Sequence, residues 1–440
     1  MTLPTTQKAV RWYPPKYDVR VETVPVPEIK DPDDVVVKVK FAGLCGSDLH
    51  TYRGHEGEDL APHICGHEFI GEVVKLGVNF GPQAKERPGL YSTLKVGDKV
   101  VSPFTTSCGE CRCPEGTLFG CPKLDGAQAQ YVRVPIAGGT LYNLSDPHSW
   151  ASLLPNQSVA ERLATISDSS LLLLGDILPT GLFATVQALN HPKLSPLLSG
   201  ISWPPRSGEA PGNLSLDDRA LTFAVVGLGP VGICACVALL DQLSGLSIPY
   251  RIVAVDPLES RREKVQQIYS LISAEDKGCG KLVTRSIDDA KETVKEWTSG
   301  IGCTAVLEVV GNPSALKLSY ELVQPFGVIS SVGVHGAPQV PFTGGNLYDK
   351  NVSFDFGRCP ARAMFPMAFE LLGESIYVND RVHTAGRLQT VLAVKRQDVF
   401  GQLGTPTSLI DRIVGIDEAV EMYKVFDQGR IGKVIFDPWK

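Results

Sequence analysis

Residues 41–68 read FAGLCGSDLHTYRGHEGEDLAPHICGHE, and side chains that bind transition metals crowd into them. Cys45 and Cys65 are here, with His50, His55, His63 and His67, half of the chain's eight histidines. Asp48 and Glu68 sit among them. Thiolate, imidazole and carboxylate this close together form a ligand set for a transition metal, and zinc takes that mixture readily. A catalytic zinc keeps three protein ligands and leaves a fourth position to water or a substrate oxygen. Such a metal lowers the pKa of a bound water or alcohol and polarises a carbonyl. The rest of the chain must then supply a third ligand, a cofactor site and a surrounding shell.

A second cluster follows. Cys108, Cys111, Cys113 and Cys121 fall within 14 residues as C-x2-C-x-C-x7-C. Four cysteines so spaced read as a closed, structural zinc site; the alternatives are a degenerate lobe of free thiols or a three-cysteine site. The eleven cysteines of the whole chain are an odd number, and in a large cytosolic protein clusters point to metal before disulfides. Cys234 and Cys236 lie in an apolar helical run and read as small core residues, as does Cys65. His55 and His63 lie on a loop rich in glycine and acids and are expected at the surface.

The cofactor signal is Gly227-Leu228-Gly229-Pro230-Val231-Gly232, a G-x-G-x-x-G between an apolar strand and an apolar helix. Such glycines allow a tight turn and let backbone approach a pyrophosphate, which the helix N-terminus then attracts. A second strand ends in Asp256, 24 residues beyond Gly232. A carboxylate there accepts hydrogen bonds from an adenosine ribose and repels a 2′-phosphate, favouring NAD over NADP. Arg261 and Arg262 could neutralise such a phosphate, so NADP stays possible; both are read as a solvated helix face.

Two kinds of architecture must position these groups. Up to about residue 135 the chain offers short strands (9–12, 35–39, 69–76, 99–102 and 129–134) broken by Gly, Pro and Asp, and few helices. This predicts a mainly-β body, a partly open barrel. Residues 137–170 are less regular. Residues 169–181, SSLLLLGDILPTG, form an apolar run with one acid, Asp176, and a helix is expected over 182–190. Residues 191–221 are rich in Pro, Ser and Gly and read as a long surface insertion. From 223 to 356 strands and helices alternate, and the strands are nearly continuous apolar runs. This is an α/β doubly wound parallel sheet. The tail holds a helix over 416–428 and a closing strand over 433–436, expected to return to the first domain.

Composition narrows the function classes. Forty-two basic against 48 acidic side chains give a formal charge of −6 without clustered Lys or Arg, which argues against nucleic acid. No apolar run approaches the roughly 18–20 residues of a membrane span. The N-terminus lacks the apolar core of a signal peptide, so cytoplasm is the expected location.

Taken together, GLCGSDLH, GHEFIGEV, VGDKV, the cysteine lobe, DILPTG and GLGPVG resemble the zinc-dependent medium-chain dehydrogenase/reductase superfamily, the alcohol dehydrogenases, over nearly the whole chain. DILPTG and residues 356–360 (FGRCP) look most like the formaldehyde-dehydrogenase-like branch. The resemblance implies a GroES-like mainly-β catalytic domain (1–181 and 359–440) and a Rossmann NAD-binding domain (182–358). It implies Cys45, His67 and Asp176 as zinc ligands, with Glu68 an exchangeable fourth ligand or an acid beside the site. A lone acid in so apolar a run is costly to bury without a partner, which favours a metal over a turn cap for Asp176. Asp48 would hold the far nitrogen of His67, Ser47 and His50 would relay protons, and Thr180 would lie against the nicotinamide. The family lobe reads C-x2-C-x2-C-x7-C, so this one is a residue short. The implied activity is hydride transfer between a small alcohol and its aldehyde or ketone, by a homodimer or homotetramer. The alternatives are a metal-independent NADPH-linked carbonyl or alkene reductase and a non-catalytic nucleotide binder.

Overall fold

The computed structural model describes residues 2–55, 60–84, 86–109, 116–151, 159–201, 220–244, 249–272, 280–336, 339–373, 399–401 and 403–440. Strands β1 (Thr6–Tyr13) and β2 (Asp18–Pro25) form an antiparallel hairpin, and β4 (His63–Ile64) pairs with the other edge of β1. The long strand β3 (Val35–Leu44) is Val-rich and mostly buried, as a central strand should be. It pairs antiparallel with β5 (Phe69–Leu76) and also with β7 (Tyr131–Val134). Next to β5 come β6 (Lys99–Ser102) and β8 (Tyr142–Asn143). In this register Ala42 faces Phe69, so the loop leaving β3 and the residues entering β5 meet at one end of the sheet.

The second half is the expected parallel sheet. Strands β9 (Leu221–Val226), β10 (Tyr250–Val255), β11 (Gly280–Arg285), β12 (Cys303–Glu308), β13 (Val323–Ser331) and β14 (Ser353–Phe356) run in the order β11-β10-β9-β12-β13-β14. Every residue of β9 and β12 is buried, which requires cover on both faces. The strand order reverses between β9 and β12, and doubly wound sheets bind ligands in the crevice at such a reversal.

The tail returns to the first sheet. Strands β15 (Ile410–Gly415) and β16 (Lys433–Asp437) extend it, β16 lying antiparallel to β3 with Val434 opposite Leu44. The order there is β15-β16-β3-β5-β6-β8.

Two helices tie the halves together. The Ile177–Leu189 helix packs on the Pro230–Ser244 helix, and Leu178, Leu182, Cys234, Ala235 and Ala238 share one core. Gly181 is where they touch: a Cβ there would stand 2.6 Å from the Ala235 nitrogen and the Cys234 Cβ. The helix starts earlier than the expected 182, because Pro179 lies in the first turn, where a missing N–H costs nothing. The apolar residues before it are helical as well (Asp168–Leu172, then Leu173–Gly175), with Ser167 capping the Ser170 amide. Among the described residues no single helix is long and apolar enough to cross a membrane.

Other differences from expectation have similar local causes. The expected insertion over 191–221 is partly ordered chain: Ser195–Leu198 forms a helical turn, Leu194 is buried, and Leu221 opens β9. Residues 202–219 of it lie outside the described residues. The Ala361–Leu372 helix, with Phe365 and Phe369 in the core, and strand β15 carry no turn signals strong enough to mark them.

Candidate active site

Cys45 is the first residue past β3, and His67 and Glu68 are the last before β5. The Asp48 carboxylate accepts the Cys45 amide at 2.9 Å, which folds the loop back on itself. Asp176 arrives from the other half of the chain, at the junction of Leu173–Gly175 with the Ile177–Leu189 helix. It stands at the N-cap position, yet its side chain makes no cap bond. Instead Oδ1 accepts the Thr180 hydroxyl at 3.0 Å, and Oδ2 lies 3.2 Å from Cys45 Sγ and 3.3 Å from His67 Nε2. One ligand atom each from Cys45, His67, Glu68 and Asp176 falls within 4.8 Å of all the others, and all four residues are buried. The far ring nitrogen of His67, Nδ1, is 3.3 Å from Asp48, and Ser47 Oγ is 3.1 Å from Nε2. His50 follows on the Asp48–Tyr52 helix, its ring 5.9 Å from that of the exposed His55.

The electrostatics match a site prepared for a cation. Burial, reinforced by Asp176, pushes the Cys45 thiol up to about 11. Burial opposes charge on His67, but Asp48 and Asp176 outweigh it and hold the imidazole well above its ordinary 6.5. Burial also works against Asp176, yet the hydrogen bond and charge of His67 bring it down to about 2. A proton on His67 thus stands where a metal would place its charge. The donor set of thiol, imidazole and two carboxylates fits zinc.

Glu68 has a partner that the sequence reading missed. Lys433, the first residue of β16, is fully buried, with Nζ 2.6 Å from Glu68 Oε1 and 3.1 Å from the Leu44 carbonyl. Burial, with Asp176 adding to it, pushes Glu68 up against the pull of Lys433; Lys433 itself is raised by the carboxylate despite its burial. The signal was present: one lysine in an otherwise apolar closing strand poses the same problem as one aspartate in an apolar helix.

Of the expected four-cysteine site, Cys108 and Cys121 are among the described residues. Thr105 and Leu118 pair antiparallel at the base of this segment. Cys108 packs its backbone on Gly139; Cys121 donates its thiol to the Leu118 carbonyl and lines the central cavity. Cys111 and Cys113 lie outside the described residues. His63 differs from expectation. It is buried in β4, its Nδ1 is 3.0 Å from the Ala61 carbonyl, and its ring lies 5.6 Å from Trp12. Cys65, Cys234 and Cys236 are buried in apolar clusters, as their surroundings led one to expect.

The glycine loop shows a separate reason for each glycine. Gly227 has φ +98°, a left-handed conformation. A Cβ on Gly232 would stand 1.9 Å from the Gly227 carbonyl oxygen, so the helix could not start so close to the turn. Gly229 faces open space, with only Arg261 Nη1 nearby at 3.9 Å, and leaves room for a ligand. Asp256 follows β10; its carboxylate accepts the amides of Leu228 (2.8 Å) and Leu258 (2.9 Å), clamping the loop to the next strand. The two arginines are not a free solvated face. Arg261 Nη1 lies 3.4 Å from Asp256, and Arg262 donates to the Asp256 and Pro257 carbonyls.

Both groups open onto one cavity of about 1240 Å³. Its walls include Cys45, Ser47, His50, His67, Asp176 and Thr180 at one end and Gly227, Gly229, Val231, Gly232 and Asp256 at the other. Residues 31–145 match the alcohol dehydrogenase GroES-like domain, and residues 230–374 match the zinc-binding dehydrogenase family. Zinc-type alcohol dehydrogenase B of Aspergillus flavus is 35% identical over 445 aligned residues, covering 99% of this chain and 82% of that one. The medium chain reductase/dehydrogenase ucsI of Acremonium sp is 36% identical over 355, covering 79% and 99%. Among solved structures, alcohol dehydrogenase TADH from Thermus sp. ATN1 superposes with TM-score 0.66 at 26% identity, covering 98% of this chain and 99% of that one. The chain therefore belongs to the zinc-dependent medium-chain dehydrogenase/reductase superfamily, as an oxidoreductase of the zinc-type alcohol dehydrogenase family.

Proposed function

We propose that this enzyme transfers hydride between a small alcohol and its aldehyde or ketone, holding zinc on Cys45, His67 and Asp176 and NAD(H) on residues 227–232 and Asp256. One observation carries the reading: the buried donor cluster and the glycine loop open onto the same cavity. When bound, zinc supplies polarisation of the substrate oxygen and the nicotinamide supplies the hydride carrier.

The chain's own residues do the rest. Asp48 fixes the His67 ring by taking Nδ1, so that Nε2 points into the cluster. Thr180 occupies one oxygen of Asp176 and so leaves the other to the cluster; it also lines the cavity where a nicotinamide would lie. Lys433 neutralises Glu68 and restrains it as a standby fourth ligand. Ser47 stands beside the cluster and His50 further along the same wall, an order suited to passing a proton from a substrate hydroxyl toward solvent. NAD(H) is favoured over NADP(H) because Asp256 is a carboxylate, and Arg261 already lies against it. The working division is a catalytic part, 1–181 and 359–440, and a cofactor part, 182–358, in a cytoplasmic homodimer or homotetramer.

The test is substitution with two readouts. Cys45→Ser or Asp176→Ala is expected to remove bound zinc and turnover while NADH still binds by fluorescence titration. Full turnover in either variant sinks the zinc mechanism.

A further inference from the structure

We propose that His335 binds the ribose on the nicotinamide side of the dinucleotide, held in place by the buried carboxylate of Glu308. The inference rests on the assignment of residues 227–232 and Asp256 to the pyrophosphate and adenosine. Asp256 follows β10, on one side of the reversal in strand order. A dinucleotide anchored there crosses the reversal, so its other half lies over the C-terminal ends of β12 and β13.

At those ends the cavity wall includes residues 309–311 (VVG) and 332–336 (VGVHG); Asn312, next along the wall, uses its side-chain oxygen to cap the following helix at the Ala315 amide. His335 is the one side chain of these eight that can form a hydrogen bond. Its position is built from beneath. Glu308, the last residue of β12, is fully buried. Its Oε1 accepts the amides of Val310 at 2.9 Å and Gly311 at 2.8 Å. Its Oε2 accepts the Ser331 hydroxyl at 2.6 Å and lies 3.0 Å from His335 Nε2. Four contacts use the acceptor capacity of a carboxylate, so Glu308 has nothing left for a ligand. What it does is join the loop after β12 to the loop after β13. Those loops also meet at their backbones, where a Cβ on Gly333 would stand 2.2 Å from the Gly311 nitrogen.

With Nε2 facing a carboxylate, the ring proton belongs on Nε2. Nδ1 then carries a lone pair and meets no partner among the described residues. Phe356 covers one side of the ring, its centroid 4.5 Å away. An oriented acceptor between the valines and glycines of these two loops suits a hydroxyl of a vicinal diol.

The experiment compares three ligands of the zinc-loaded enzyme by calorimetric titration: NADH, ADP-ribose and ADP. ADP-ribose keeps the second ribose without the nicotinamide, and ADP lacks both. His335→Ala should weaken NADH and ADP-ribose by a similar factor, about fivefold to tenfold for one neutral hydrogen bond, and leave ADP unchanged. Unchanged ADP binding also shows that the variant is folded. Weakening of NADH alone would place His335 on the carboxamide and overturn the ribose assignment. Equal weakening of all three, or no weakening, would overturn the contact altogether. Failure of the unmodified enzyme to bind any of the three would instead refute the underlying cofactor assignment.

Discussion

Lys433→Met puts the buried pair beside the metal cluster to a quantitative test. Nζ and Glu68 Oε1 are 2.6 Å apart with both side chains fully buried, so solvent screens little of their attraction. At an effective dielectric of about 20 that attraction is roughly 6 kcal/mol. Part of it is offset, because the variant no longer has to bury an ammonium and Glu68 can take up a proton. Removing one partner of a buried pair costs about 3–5 kcal/mol in comparable cases. The loss has a direction in pH. Burial already raises the Glu68 pKa above its unfolded value of about 4.3, and removing Lys433 raises it further. Below about pH 4.3 the carboxyl is protonated in both states and adds no penalty. As pH climbs from there to the raised folded pKa, the folded state holds a proton that the unfolded state has lost. The unsubstituted enzyme shares this loss up to its own folded pKa, so the variant's deficit relative to it grows with pH between the two folded pKa values, by up to about 1.4 kcal/mol per unit, and levels off above the higher one. Urea unfolding of the zinc-free enzyme at pH 5 and pH 8 reads both quantities. The Glu68→Gln, Lys433→Met double variant should recover most of the loss, since neither charge is then buried. A loss under about 1 kcal/mol at pH 8, or a double variant as weak as the single one, would refute the reasoning.

Two further outcomes follow from the site. Without metal, Cys45 is held near 11 and His67 well above 6.5, so at pH 7 both carry protons that zinc must displace. Zinc binding at pH 7 should release about two protons, measured by calorimetry in buffers of different ionisation enthalpy. Retention of zinc should weaken as pH falls, and release of no protons would contradict the ligand assignment. Gly232→Ala places a Cβ 1.9 Å from the Gly227 carbonyl, which forces the loop open. NADH affinity should fall at least tenfold with zinc content unchanged; an unaffected NADH affinity would mean that the loop does not hold the cofactor.

The parts of the molecule that the sequence declared were those where local chemistry and fold agree. Alternating βα segments, unbroken apolar strands and the spacing from Gly232 to Asp256 leave few options for the second half. Cys45, His67 and Asp176 were legible as separate oddities, and the structure brings them together. Lys433 was not, because a charge at the start of a strand usually faces water; only the pairing of β16 with β3 puts it beside Glu68. Arg261 and His335 were invisible as partners, since their hydrogen bonds reach across a turn or to another strand that no periodicity reveals.

The pairing of β16 with β3 also bears on how the chain is made. Glu68 and Lys433 are separated by 365 residues, and the sheet beside the donor cluster is completed by strands from both ends of that interval. Synthesis is vectorial, and the parallel sheet between them can form while the ribosome is still at work. The first sheet must wait with an open edge along β3, and the Glu68 carboxylate stays uncompensated until residue 433 emerges. Closure of the donor pocket thus waits for β16, and chains that stop before residue 433 would hold a parallel sheet beside an unfinished site.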